Sequence, residues 1–183
     1  IFNNPKEWPS PIWEMRDYTS VEDASENNLR VINERVGKDD ILYFLGDGFL
    51  NAEDQQVLDW LARVNCQNIK YLWGNHESVP YRLYKKAILD QYGLNDVEIY
   101  PVRLNNVVFV GNHVEIRIGK KHVIMNHFPL RVHNKSHHGS ICLSGHSHLT
   151  DPERRPDHPI GKSLDVGWDW KNDVWSFAEI LDV

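Results

Sequence analysis

Cysteine is nearly absent from this chain of 183 residues: Cys66 and Cys142 are the only two. Two thiols cannot build a disulfide framework, so a small secreted scaffold is excluded and a reducing cytoplasm is the expected compartment. No apolar run approaches the roughly 20 residues a membrane span needs. A basic block is missing as well, since 20 Lys and Arg stand against 26 Asp and Glu for a formal net charge of −6. Sequence-blind binding to a long nucleic-acid backbone calls for a basic stripe, so long nucleic acid is not the expected partner. A short nucleotide or another small phosphate ester stays open, because a metal site supplies its own positive charge. Repeats, low-complexity tracts, an internal linker and a signal peptide are also missing, although the chain opens at Ile1 rather than Met.

An apolar fraction of 41% with seven Trp is enough to build the core of a single domain over residues 1–183. Residues 1–19, rich in Pro and Trp, read as an ordered loop. Ser20 and Asp23 resemble a capping box, and Leu29, Ile32 and Val36 give a helical stripe over 21–36. Ile41 to Leu45 is a continuous apolar run of buried-strand type that ends at Gly46-Asp47. Asn51 can cap a second helix with Val57, Leu58, Leu61 and Val64 on its inner face. Ile69 to Trp73 reads as a second buried strand, ending at Gly74-Asn75-His76, and a third helix is expected over 81–91. Short strands are then expected at 97–100, 106–110, 114–118, 122–126, 141–144, 163–166 and 174–178. Helix alternates with strand early and strands dominate late. The expected class is α/β (α+β), with two stacked mixed sheets and helices on the outer faces.

Six of the ten His fall between 127 and 148. A lone His is usually a surface or satisfied core residue, and His113, His122 and His158 take that reading. The cluster is different. Glycine precedes Asp47, Asn75 and His146, each just past an expected strand, which is where α/β folds place ligands. Asp47 can bridge two cations, and Asn75 offers a carbonyl oxygen without adding charge. His127, His146 and His148 suit borderline-soft ions such as Mn, Fe, Zn or Ni. His146 and His148, one residue apart on a Gly turn, can face two different ions. Such a pair can generate a bound hydroxide and neutralise phosphoryl oxygens during in-line attack. His76, beside a ligand, is placed to protonate the leaving oxygen. Gly111-Asn112-His113 repeats the Gly-Asn-His triplet but reads as a hairpin turn.

Taken together, Gly46-Asp47, Gly74-Asn75-His76-Glu77, Asn126-His127-Phe128-Pro129 and Gly145-His146-Ser147-His148 resemble the calcineurin-like metallophosphoesterases over about residues 41–169. Asn134 to Ser140 and Leu164 to Asp169 make the chain similar to a group of small bacterial and phage phosphoesterases within them. The resemblance implies a four-layer sandwich, with Asp47 bridging two metals. Asn75, His127 and His146 would complete one ion, His148 would serve the other, and His76 would be the catalytic histidine beside Asp47 and Asn75. That family opens with an Asp-x-His strand end, and no His precedes His76 here. Phe2 to Pro5 look like the stretch that follows that motif. Two readings result: a chain that starts just after the motif, as a fragment holding at most one metal tightly, or a natural variant with one crippled metal site.

Arg131, His133, Lys135, His137 and His138 lie between ligands His127 and His146. Arg131, His137 and His138 are the expected substrate contacts, since cationic donors at the mouth of a site can grip phosphate. The expected function is hydrolysis of a phosphomonoester or phosphodiester. A catalytically impaired scaffold with the same fold is the alternative, and a nuclease is the second.

Overall fold

The computed structural model describes residues 11–148 and 162–182. The readings placed on Phe2 to Pro5 and on His158 lie outside the described residues. The chain divides into two compact units, Ile1–Gly111 and Asn112–Val183, and each carries one four-stranded mixed sheet.

In the first unit the strands are β1 (Leu42–Phe44), β2 (Ile69–Leu72), β3 (Val102–Leu104) and β4 (Val107–Gly111). Their order is β1-β2-β4-β3, with β1, β2 and β4 parallel and β3 antiparallel to β4. The register puts Phe44, Tyr71 and Phe109 in one cross-strand row. Their rings follow it, with centroids 5.3 Å apart for Phe44–Tyr71 and 5.8 Å for Tyr71–Phe109. Phe49 and Trp60 extend the cluster edge-on at 5.4 Å. Such pairs add to the apolar burial that drives the sheet together.

The helices of this unit are α1 (Ile12–Met15), α2 (Val21–Arg35), α3 (Asp54–Ala62) and α4 (Ser78–Tyr92). Residues 11–19, expected as loop, thus contain one helical turn. The stripe on α2 is buried as expected at Leu29 and Ile32. Its cap is split: Ser20 Oγ accepts from Asp23 N–H at 3.1 Å, while the Asp23 carboxylate turns to the Thr19 N–H and hydroxyl, each at 2.9 Å.

Several expectations need correction. Strand β1 is shorter than 41–45 and only Leu42 is buried; among the described residues β1 pairs with β2 alone. Ile41 is 53% exposed. Asn51 does not cap α3. It takes a left-handed φ of +53 in the preceding turn, a conformation Asn tolerates better than most residues. Glu53 begins the helix, with its N–H held by Gln56 Oε1 at 2.9 Å. Residues 97–100 form no strand, because the Tyr84 hydroxyl takes both backbone groups of Ile99, at 2.9 and 3.0 Å. The strand lies further on, at β3.

The second unit holds β5 (His113–Ile118), β6 (Lys121–Asn126), β7 (Ile141–Ser144), β8 (Lys162–Asp165) and α5 (Phe177–Asp182). Strands β5 and β6 form an antiparallel hairpin, and β6, β7 and β8 run parallel. Gly111-Asn112-His113 is therefore not a hairpin turn: β4 and β5 belong to different sheets. No strand forms at 174–178: residues 174–176 are irregular and α5 begins at Phe177. Ser176 Oγ accepts from Glu179 N–H at 3.2 Å and Glu179 Oε2 from Ser176 N–H at 2.6 Å, a reciprocal capping box that favours helix. Among the described residues no helix is long and apolar enough to cross a membrane.

One buried amide pins the first unit. Asn106 Nδ2 donates to the carbonyls of Leu61 at 3.0 Å and Cys66 at 3.1 Å. Asn106→Ala removes the side-chain donor from the Cys66 carbonyl, while the Leu61 carbonyl keeps the Val64 N–H at 3.2 Å, and should cost about 2 kcal/mol. Urea unfolding should show a lower midpoint with an unchanged slope.

Candidate metal centre

Parallel pairing of β1 with β2 carries two loops off the same end of the first sheet. Gly46 and Asp47 leave β1, and Gly74, Asn75, His76 and Glu77 leave β2. The loops are locked reciprocally. Asp47 N–H donates to Glu77 Oε1 at 2.6 Å, and His76 N–H donates to Asp47 Oδ1 at 2.8 Å. Gly74 N–H adds a second donor to Glu77 Oε1 at 2.9 Å, and the Tyr71 hydroxyl donates to Oε2 at 2.7 Å. Burial pushes the Glu77 carboxyl above its usual range, against the pull of these three donors. Burial and the adjacent Glu77 push the Tyr71 phenol well upward too, so Tyr71 keeps its proton and stays a donor.

Two glycines make this approach feasible. A Cβ on Gly74 would sit 2.1 Å from Asp47 Oδ1, and one on Gly48 would sit 2.2 Å from the Phe44 ring. Asp47 itself holds a left-handed φ of +55. Non-Gly residues in this region cost energy and cluster at functional sites. Asn75 and His76 are exposed beside it.

The second unit repeats the principle. Strands β6, β7 and β8 align Met125, Leu143 and Leu164, so the residues just past each strand fall at one sheet end. Gly145 N–H donates to the His127 carbonyl at 3.1 Å. His127 is buried and His146 exposed, and His127 Nε2 lies 3.2 Å from His146 Nδ1. Two nitrogens bound tetrahedrally to one ion at about 2.0–2.1 Å sit roughly 3.3 Å apart. The spacing therefore suits two ligands of one cation; as a hydrogen bond it would need one nitrogen protonated. His146 and His148 both have left-handed φ, +68 and +46. His148 Nδ1 meets Asp169 Oδ2 at 2.8 Å, which leaves Nε2 as the nitrogen that can serve a metal. Carboxylates fix metal-ligating imidazoles in this way.

The loop expected to meet substrate divides in two. Arg131, His137 and His138 are exposed, the two His on a short helical turn, Ser136–His138, bounded by left-handed Lys135 and Gly139. His133 is not at a mouth: it is buried. The Ser140 hydroxyl donates to the Asn134 carbonyl at 2.6 Å, so the 3.1 Å contact with His133 must run from His133 Nδ1–H to Ser140 Oγ. Lys135 Nζ is 3.0 Å from His122 Nε2, and Asn134 Nδ2 donates to Glu115 at 2.9 Å. Both contacts tie the loop to the β5–β6 hairpin.

Glu77 and Asp169 carry roles that the residue pattern did not assign. Glu77 had a signal, a carboxylate right after the Gly-Asn-His triplet. Asp169 had only its place past a strand end, 21 positions from its partner.

No family model matches the chain, and neither a curated protein nor a solved structure matches it.

Gly74→Ala should displace the Asp47 carboxylate, since the added carbon and Oδ1 cannot share that space. Calorimetric titration with Mn should show at least about tenfold weaker binding, in line with the 10–100-fold losses seen when support around ligands is removed. Unchanged affinity would show that Asp47 is not a ligand.

Proposed function

We propose that this chain is a metal-dependent phosphoesterase of the calcineurin-like kind, acting on a small phosphate monoester or diester. The observation that carries the reading is the 3.2 Å pair of His127 and His146 nitrogens at the ends of adjacent parallel strands. By the family resemblance Asp47, whose Oδ1 accepts from the His76 backbone N–H, would supply a carboxylate ligand, and Asn75 a neutral oxygen. One carboxylate and two imidazoles suit Mn, Fe, Zn or Ni. A second ion would take Asp47 together with His148, whose ring Asp169 orients.

When bound, the metal supplies Lewis acidity and positive charge for the phosphoryl oxygens. The protein groups do the rest. His76 holds a proton on its ring and delivers it to the leaving oxygen. Arg131, His137 and His138 grip the phosphate from the loop. The His127–His146 pair sets where the phosphorus must sit. Two buried cysteines that are not in a disulfide fit a cytoplasmic site of action.

Turnover of bis(p-nitrophenyl) phosphate with added Mn tests the reading directly. A scaffold would bind Mn and show no turnover. His76→Ala should lower the rate by about 10²–10⁴-fold while metal content per chain holds. Loss of metal along with activity would make His76 a ligand instead.

Replacing His137 and His138 together with Ala should leave the melting temperature nearly unchanged, since changes at exposed sites usually stay within about 0.5 kcal/mol. Activity should fall by tenfold or more, on the order of one lost charge-assisted contact. A large drop in melting temperature would assign the pair to structure.

A further inference from the structure

Phe128 follows ligand candidate His127 and is 45% exposed. Its ring lies against both imidazoles of the pair. The centroids are 5.0 Å from His127 with planes at 84°, and 4.6 Å from His146 with planes at 62°. The backbone is fixed as well, because Phe128 N–H donates to Asn126 Oδ1 at 2.9 Å. A scattered exposed aromatic needs no explanation. This one is held edge-to-face by the two side chains that would hold the ion, with nearly half its surface open. Val132, four residues on, is 74% exposed. Arg131, between them in sequence, is exposed and makes no hydrogen bond or ion pair with a described residue. Residues 128–132 thus offer one cation and open apolar surface next to the His pair.

A phosphate at that pair carries its esterified group to within a few ångströms of Phe128. An aliphatic group would gain contact there, but a planar aromatic one gains offset or edge-on ring geometry in addition. We infer that Phe128 is a specificity-determining platform that selects phosphate esters bearing a planar aromatic group, either a nucleobase or an aryl ring. The inference rests on reading His127 and His146 as the phosphate-side metal ligands.

The test uses phosphonates, whose P–C bond is not hydrolysed, so binding can be measured by calorimetry on the full chain with Mn present, apart from turnover. Phenylphosphonate and the phosphonate analogue of adenosine monophosphate are compared with cyclohexylphosphonate, which matches the phenyl compound in bulk without the ring electrons. At least one aromatic ligand should bind about threefold or more tighter than the cyclohexyl compound, the scale of ring–ring preference beyond burial. Which one does so separates nucleobase from aryl recognition. Phe128→Ala and Phe128→Leu should both erase the preference, and Phe128→Tyr should restore it. Circular dichroism of each variant guards against misfolding, and the Leu and Tyr forms keep the bulk at the site. Equal affinities in the wild-type chain, a preference that survives Phe128→Ala, or no phosphonate binding would each overturn the inference. If the preference is found while no ester is hydrolysed, the phosphoesterase reading fails and the platform stands.

Discussion

A buried carboxylate governs the loops of the first unit that carry Asp47 and Asn75. Glu77 accepts from the backbone of Asp47, the backbone of Gly74 and the hydroxyl of Tyr71. Burying a carboxylate is expensive unless its lone pairs are matched, and here the donors come from both loops and from the strand between. Satisfying Glu77 therefore requires the loops after β1 and β2 to close on each other. Once they close, the His76 N–H reaches Asp47 Oδ1, and the Asp47 carboxylate is fixed in the left-handed turn its φ demands. Removing any one donor loosens the others, because a partly satisfied buried network is worse than none.

The cross-strand row of Phe44, Tyr71 and Phe109 supports that lock from below. Tyr71 is fully packed in the row, with 1% of its surface exposed, yet its hydroxyl reaches the Glu77 carboxylate. A Phe would fill the same space and leave Glu77 Oε2 without its donor. Packing and site geometry thus share one side chain. In the second unit the same division of labour falls to strand ends: parallel pairing sets His127 and His146 side by side, and left-handed turns at His146 and His148 aim the rings.

Several elements were legible from residues alone. The stripe of Leu29 and Ile32 and the apolar run at 69–73 depend on periodicity and length, which are local properties. Gly-Asp and Gly-Asn-His at the ends of apolar runs pointed to loops at strand ends, since Gly is the residue that lets a chain turn sharply or approach closely. Other readings failed where two local signals competed. Residues 174–178 are β-rich in composition, but the Ser176–Glu179 capping box decided for helix. Gly111-Asn112 has hairpin chemistry, yet the strands on either side pair in different sheets. Residues 97–100 lost their strand to a single Tyr84 hydroxyl.

By itself the sequence determined which residue types could hold a metal and that each sits just past a strand, because spacing and glycine placement are written locally. Only the tertiary structure decided that His133 is a buried staple rather than a substrate contact, that Glu77 locks the Asp47 loop, and that Asp169 turns the ring of His148. Each of those roles depends on a partner made close by sheet pairing or a loop fold, and on the burial that makes an unmatched polar atom costly. Neither distance nor burial has a signature in the order of residues along the chain.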